Sequence, residues 1–526
     1  MAIKMTQDDS KGSEKQNYSN KSRRSGTNSQ PGGGLPGGGG LGSILQLALP
    51  FLLKNPKLLI LALVIGVLFF IFKGKFGGDG GVNLDNIGQL FSTGGKFDKE
   101  IYEEVEMFEP LADNRKNPLP ERVSLQQYCP QPLNQGEQGS CVAWAAAYSA
   151  RTILEAQRTG KNPDEIAFSP AFMYNQISID HNTCQGSYIK YAMDNLTDIG
   201  AVGFNEFKYN PKDCNKKPSA ELKQKARSNT IKGFQRLTIE QKGKTYEMLA
   251  MKQNLAQGSP VIIGMMVGGS FMQAMEGKEV WIPNDSDYDQ RGFGGHAMTV
   301  VGYDDYKEGG AFLIMNSWGK GWGKNGFCWV RYSDFKEFNV EAYGLYPMGF
   351  YNKKEEHVFR GEFGLQLNDG NKTIKLHQVN DFYFETVGNV KKGDRFKVEF
   401  TNNIECYTYI FGEDDDKSAE VLFPYTEKHS PYCGITGTRL FPRDYSMESN
   451  GIGATDKIAI VITKKPIDYV EYASKINKAT GNFEKKMKAA FNYSSGIVRY
   501  SDAQNIKFNV DANKQDMVIF VIGVKK

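Results

Sequence analysis

The chain is poor in histidine, with five among 526 residues, and its seven cysteines include no C-x-x-C pair. Neither residue type recurs at zinc-ligand spacing, so no metal site is expected. A basic excess is also missing from most of the sequence. Residues 1–57 hold eight Lys/Arg (Lys4, Lys11, Lys15, Lys21, Arg23, Arg24, Lys54, Lys57) against Asp8, Asp9 and Glu14, a net +5. The remaining 56 basic and 57 acidic residues give −1. That leaves no large basic face for a nucleic acid, and no nucleic-acid partner is expected. No internal repeat is visible. What is present, 40% apolar, 12% aromatic and 24% charged residues, describes a globular chain long enough for two or three domains.

Residues 1–43 are Ser, Asn, Lys, Gln and Gly with few large apolar side chains, and end in PGGGLPGGGGLG (31–42). Such a segment cannot offset the entropy of ordering and reads as a disordered tail. Residues 44–76 then turn apolar, with fifteen uninterrupted apolar residues from Leu58 to Phe72. Asn55 is a good N-cap, Pro56 suits the first helical position, and Lys57, Lys73 and Lys75 can snorkel at the ends. Extended to Phe76, the segment reaches the roughly twenty residues of a membrane span. An N-terminal transmembrane helix engaging the membrane through residues 55–76 is expected. A buried core helix or an interfacial hairpin with 44–53 are the competing readings. A cleaved signal peptide is disfavoured by the long preceding region. The basic tail tips the orientation towards N-terminus inside, which makes a single-pass protein with its folded part extracytoplasmic, periplasmic or on the cell surface. Residues 77–117 read as a Gly-rich tether running into a charged, helix-compatible strap (Phe97–Glu109). Two folded blocks follow, 118–350 and 355–526.

The sharpest signal is N-Q-G-E-Q-G-S-C-V-A-W-A-A-A-Y-S-A from Asn134. A Gly- and Gln-rich loop delivers Cys141 to the start of an apolar-periodic helix, where the dipole favours the thiolate. A nearby imidazolium would favour it further. His296 lies in G-G-H-A-M-T-V-V-G-Y-D-D, and Asn316 in A-F-L-I-M-N-S-W-G-K-G-W-G-K-N-G-F. Singly, Cys141 reads as a small buried residue, Asn316 as a turn former and Gly-Gly-His as a loop. Together, in the order Cys, His, Asn, they carry more.

That constellation resembles the papain-like cysteine peptidases, of the type seen in bacteria, over residues 118–345. Further pieces agree: Leu119-Pro120, Gln135-Gly136, Phe168-Ser169-Pro170, Gly186-Ser187-Tyr188 and Asn316-Ser317-Trp318-Gly319. The resemblance implies an α+β fold with a helical lobe and a β-barrel-like lobe. It also implies a Cys141–His296 thiolate–imidazolium pair attacking a peptide carbonyl, with Asn316 orienting the imidazole. Gln135, six residues before Cys141, would donate to the developing oxyanion; losing one such donor costs about 3–4 kcal/mol. Trp318 would shield the Asn–His bond in a supporting role. No cofactor or metal is required. Two positions depart from the family pattern: Gln138 stands where a half-cystine is common, and Val142 where Trp is common, with Trp144 available to compensate. Family members often carry an inhibitory prosegment. The stretch before Leu119 lacks its usual pattern and reads as a packing strap.

Six cysteines remain, an even number that suits an oxidising compartment. Cys184 and Cys214 are the first expected disulfide, bracketing the second helix of the peptidase block. Cys406 and Cys433 are the candidate pair of the last block, and Cys129 and Cys328 are left over; scattered buried thiols are the competing reading. From about 380 the sequence turns β: Phe382-Tyr383-Phe384, F-K-V-E-F (396–400), C-Y-T-Y-I-F (406–411), V-L-F-P-Y (421–425), I-A-I-V-I-T-K-K-P (458–466), then I-K-F-N-V and M-V-I-F-V-I-G-V. One charged helix is expected over 467–490. These runs predict a mostly-β, sandwich-like domain. Asp414–Asp416 reads as a solvated turn, since no full calcium loop surrounds it. This block also resembles a bacterial β-domain of uncharacterised role that is attached to enzymes, caspase-like peptidases included, which implies docking to a protein partner. The leading functional expectation is a membrane-anchored cysteine endopeptidase acting on a peptide or protein substrate. The alternative is a non-catalytic papain-like scaffold or adaptor in an envelope-anchored assembly.

Overall fold

The structure, a computed structural model, describes residues 2–8, 94–112, 116–237, 248–346, 358–369, 372–450, 452–494, 498–501, 505–511 and 513–526. The apolar segment 44–76, most of the tail and most of the tether lie outside them. Among the described residues no helix is long and apolar enough to cross a membrane. Residues 2–8 and 94–526 belong to one compact unit.

In the first block, Cys141 opens a continuous helical run. Cys141–Ala143 is α-helical, Trp144–Arg151 is π-helical, and Thr152–Thr159 is α-helical again. Gly160 ends it at φ 67°, a left-handed position that glycine adopts without steric cost. Ala143, Ala145, Ala146, Ala147 and Ala150 are all buried, and their small side chains let neighbouring elements approach this run closely. Helix Pro170–Ile177 begins with a Ser169 side-chain cap on the Phe172 N–H and with Pro170 at its first position. Both are favoured starts. Helix Ile189–Asp198 completes the group around the central run.

The second half of this block is one sheet. Its order is Gly233–Arg236, Asn339–Tyr346, Val261–Val267, Gly294–Asp304, Ala311–Met315, Phe327–Arg331, Val280–Trp281, with Arg122–Ser124 also paired to Gly294–Asp304. The expected barrel-like lobe is not closed: the two end strands do not pair with each other. The Gly233–Arg236 edge is instead covered by the strap, through Arg236 N–H to Glu106 O (3.1 Å) and Phe108 N–H to Arg236 O (3.0 Å). Covering an edge with chain is a usual way to satisfy its free backbone groups.

The C-terminal block holds two sheets. One runs Ile3–Gln7, Tyr445–Ser449, Arg395–Asn402, Val358–Leu367, Ile506–Asp511, Arg499–Ser501; the other runs Leu376–Gln378, Tyr383–Thr386, Met517–Lys525, Thr455–Thr463, Cys406–Glu413, Ala419–Phe423. Both contribute to one core, in which the Phe363 and Phe520 rings stack at 3.6 Å. Two expectations change here. Residues 3–7, assigned above to a disordered tail, form an antiparallel edge strand from Ile3↔Ser449 to Gln7↔Tyr445; I-K-M-T-Q alternates, and Ile3 reaches the core. The single helix over 467–490 is two, Tyr469–Lys478 and Phe483–Phe491. Gly481 at φ +107° and the Asn482 cap on Lys485 N–H separate them.

Of the expected disulfides, Cys184–Cys214 is formed. Cys406 and Cys433 stand directly opposite each other on paired strands, but both are free thiols, as are Cys129 and Cys328. The three aspartates form a turn, with Asp414 also accepting from the Ala2 backbone N–H at 2.7 Å.

The strap joins the two blocks. Met107 N–H donates to Lys428 O (2.7 Å) and Ser430 N–H to Met107 O (3.2 Å) on one side. On the other, Leu111 exchanges two 2.8 Å hydrogen bonds with the Gln253 side chain. Glu109 meets His429 Nδ1 at 2.8 Å, and both side chains are buried.

Candidate active site

Cys141, His296, Asn316, Gln135 and Trp318 come together where the helical run meets the sheet. Cys141 lies at the helix start, and His296 lies on Gly294–Asp304, directly opposite Met265 of the neighbouring strand. The Ala297 N–H donates to Cys141 Sγ at 3.4 Å, so the residue following the histidine locks the thiol against the sheet. His296 Nε2 lies 2.8 Å from Asn316 Oδ1. That oxygen also accepts from Ser317 N–H at 2.7 Å, which fixes the amide with its carbonyl towards the ring. Nδ1, the other ring nitrogen, is buried without a hydrogen-bond partner. Trp318 stacks on the imidazole at 4.4 Å and 23°, covering the His–Asn bond.

Gln135 is buried beside them. Its Nε2 donates to Gln138 O at 2.9 Å, and its Oε1 accepts from Ser317 Oγ at 2.6 Å. Ser317 therefore ties the glutamine to the asparagine loop, a link the sequence reading missed although Ser317 follows Asn316 directly. Tyr209 was missed as well: its hydroxyl donates to Gln135 O (2.7 Å) and lies 2.7 Å from Ser140 Oγ. Trp144 packs edge-on against Tyr148 and Tyr209.

The end of the tether, read above as flexible, lies across this cleft together with the start of the strap. Gly95 and Lys96 pair in parallel with Ser187 and Tyr188, and Ser187 N–H donates to Gly94 O at 2.9 Å. A Cβ on Gly94 would fall 2.2 Å from Gly139 O, and one on Gly295 would fall 2.2 Å from Gly95 O. Only glycines permit this approach, which threads the chain between the residue two before Cys141 and the residue before His296. Phe97 then turns its ring onto Gly264.

Burial sets the electrostatics. Cys141 and His296 are both fully buried. Burial pushes the thiol up to about 12, with the Ala297 N–H opposing it weakly. Burial also takes the imidazole down to about 4, against the Asn316 hydrogen bond. The helix start was expected to favour a thiolate, but burial opposes it and outweighs the hydrogen bonds to the sulfur. In this closed form both shifts oppose an ionised thiolate–imidazolium pair.

Residues 119–348 match the profile described as papain family cysteine protease. Residues 389–466 match a domain of unknown function, DUF4384, which lies within the C-terminal block. Among curated proteins, an uncharacterized peptidase C1-like protein of Acanthamoeba polyphaga mimivirus is 26% identical over 40% of this chain and 67% of its own length. Procathepsin L of Rattus norvegicus is 29% identical over 41% of this chain and 60% of its own. The chain thus spans about two thirds or less of these relatives. Among solved structures, xylellain, a cysteine protease from Xylella fastidiosa, aligns with TM-score 0.38 at 24% identity, covering 47% of this chain and 97% of that one.

Proposed function

Since the chain carries a papain-family cysteine peptidase domain, we propose that it hydrolyses peptide bonds with Cys141 as nucleophile, His296 as proton carrier, Asn316 as orienting residue and Gln135 as oxyanion donor. The observation that carries this is the 2.8 Å His296–Asn316 bond beside a Cys141 thiol that the adjoining Ala297 N–H holds in place. Once the strap leaves and water enters, the desolvation that opposes the ion pair is relieved. The proton can then pass from Sγ to the imidazole. The thiolate adds to the carbonyl carbon, and the oxyanion meets the Cys141 N–H and the Gln135 amide. His296 returns its proton to the leaving amine, and water cleaves the thioester. The Gly94–Phe97 segment occupies the same cleft, so substrate enters only when it moves.

The reading includes a membrane-attached protein, with residues 44–76 as the attachment and the C-terminal block docking a protein partner. A single crossing would put strand Ile3–Gln7 and the peptidase on opposite faces, yet they share one folded unit. This counts against a single crossing by residues 55–76. Hydrolysis is tested by incubating an unfolded protein substrate with wild type, Cys141→Ala and His296→Ala, and mapping new termini by mass spectrometry. New termini with wild type alone support the reading. None with any of the three, after the strap has been released by Phe97→Ala, would overturn it and leave a scaffold.

A further inference from the structure

Helix Ile189–Asp198 buries one face in the helical group and leaves another open. Tyr191, Asp194, Asn195 and Asp198 recur on that second face at helical spacing. With Gln176 and Ile179, from the end of helix Pro170–Ile177 and the turn after it, they line a groove of about 540 Å³. The groove lies outside the cleft: Asn195 follows Tyr188 by seven residues, about 10 Å of helix.

The polar groups of this groove accept, and several of them accept from nothing. Asn195 is 6% exposed, and its Oδ1 is buried with no hydrogen-bond partner. Gln176 Oε1 is buried in the same way, while its Nε2 is engaged with Phe172 O at 2.6 Å. Two carboxylates stand beside them. Lys190, on the same helix, holds Asp194 at 2.9 Å and also meets Glu104 at 3.5 Å. Asp198 makes no ion pair among the described residues. No basic side chain lines the groove. Asn195 and Asp198 also lie in the last turn of their helix, at the negative end of its dipole.

We propose that this groove is a docking site for an arginine side chain of a partner protein. The two buried acceptors are costly to leave unpaired and call for a ligand that brings donors. The Asp198 carboxylate and the helix end call for one that brings positive charge. Ile179 and Tyr191, both exposed, offer apolar and aromatic surface to a methylene stem and a flat cation. A guanidinium meets all three demands: it carries five N–H donors in one plane and stays ionised. A lysine ammonium brings the charge but fewer donors and no plane. The site is independent of the hydrolytic reading, since none of its residues belongs to the Cys141 constellation.

The test is a calorimetric titration of the full chain carrying Cys141→Ala, which keeps any probe intact. The probes are a blocked glycine–arginine–glycine peptide and its citrulline counterpart, which has the same shape without the charge. The arginine peptide is expected to bind at least about tenfold more tightly than the citrulline one, the contribution of a charge-assisted contact. Asp198→Asn, a change at an exposed position, should remove most of that preference. Gln176→Met should weaken the arginine peptide as well, through the lost acceptor. A preference that survives both substitutions overturns the proposal. So does equal binding of the two peptides, or no binding of either, when Arg23 and Arg24 are present and when both are replaced by Gln. Binding that appears only after Arg23→Gln and Arg24→Gln would assign the groove to this chain's own basic segment and overturn the partner. Cleavage is not read, so failure of the hydrolytic reading would leave these outcomes unchanged.

Discussion

Two histidines are buried among the described residues, and their partners differ in kind. His296 leans on a neutral amide, Asn316, lies under Trp318 and keeps Nδ1 without a hydrogen-bond partner. His429 is bound through Nδ1 to the Glu109 carboxylate and packs against Tyr425 with tilted rings at 3.8 Å. A carboxylate partner ties the ring to the strap. An amide orients the ring without committing its proton, which is what a proton carrier needs. The first histidine faces the cleft, and the second sits where the strap crosses into the C-terminal block.

The sharpest way to break this comparison is to remove each ring. His296→Ala should lower peptide turnover by at least about 10³-fold, measured as kcat on a cleaved peptide in the Phe97→Ala background. His429→Ala should leave that turnover within a few-fold. Its effect should appear as stability instead: it leaves the buried Glu109 side chain without its His429 partner, at a cost of about 3–5 kcal/mol, read by denaturant unfolding. Next in size is the Cys184–Cys214 bond. The two residues are separated by 30 positions, and opening such a loop should cost about 3–4 kcal/mol in the chain-entropy model; unfolding with and without reductant measures it.

Acid should sharpen the contrast further. The folded value of His296 lies below its unfolded one, so its contribution is fully present above about 6.5 and is lost as pH falls towards about 4. Thermal midpoints should drop across that window, and the drop should shrink in His296→Asn. The smallest effect belongs to the half-exposed Lys428–Glu103 ion pair at the strap: Lys428→Ala should change stability by less than about 1 kcal/mol.

The cleft residues were legible in the sequence because each carries its own local reason: a loop feeding a helix at Cys141, a strand at His296, a strand end at Asn316. The cover over them was not. Gly94 and Gly95 read as the end of a flexible tether, and composition cannot distinguish a glycine that bends freely from one that admits backbone contact. Helix 467–490 read as one because its apolar spacing continues through Gly481, and the barrel expected of the second lobe stayed open because the strap took its edge. Cys406 and Cys433 were correctly matched across two strands, but register alone does not make a bond.

Closure of the proposed Cys141 site by Gly94–Phe97 governs access to the thiol. It is tested most directly by the rate at which an epoxide inhibitor of papain-like enzymes adds to the protein, read by intact mass in wild type, Phe97→Ala and Cys141→Ala. Withdrawing the Phe97 ring weakens the closed form by about 1.5–3 kcal/mol. One adduct should therefore form about tenfold or more faster in Phe97→Ala than in wild type, and none in Cys141→Ala. Equal rates with and without the Phe97 ring, or no adduct in either, would contradict the account.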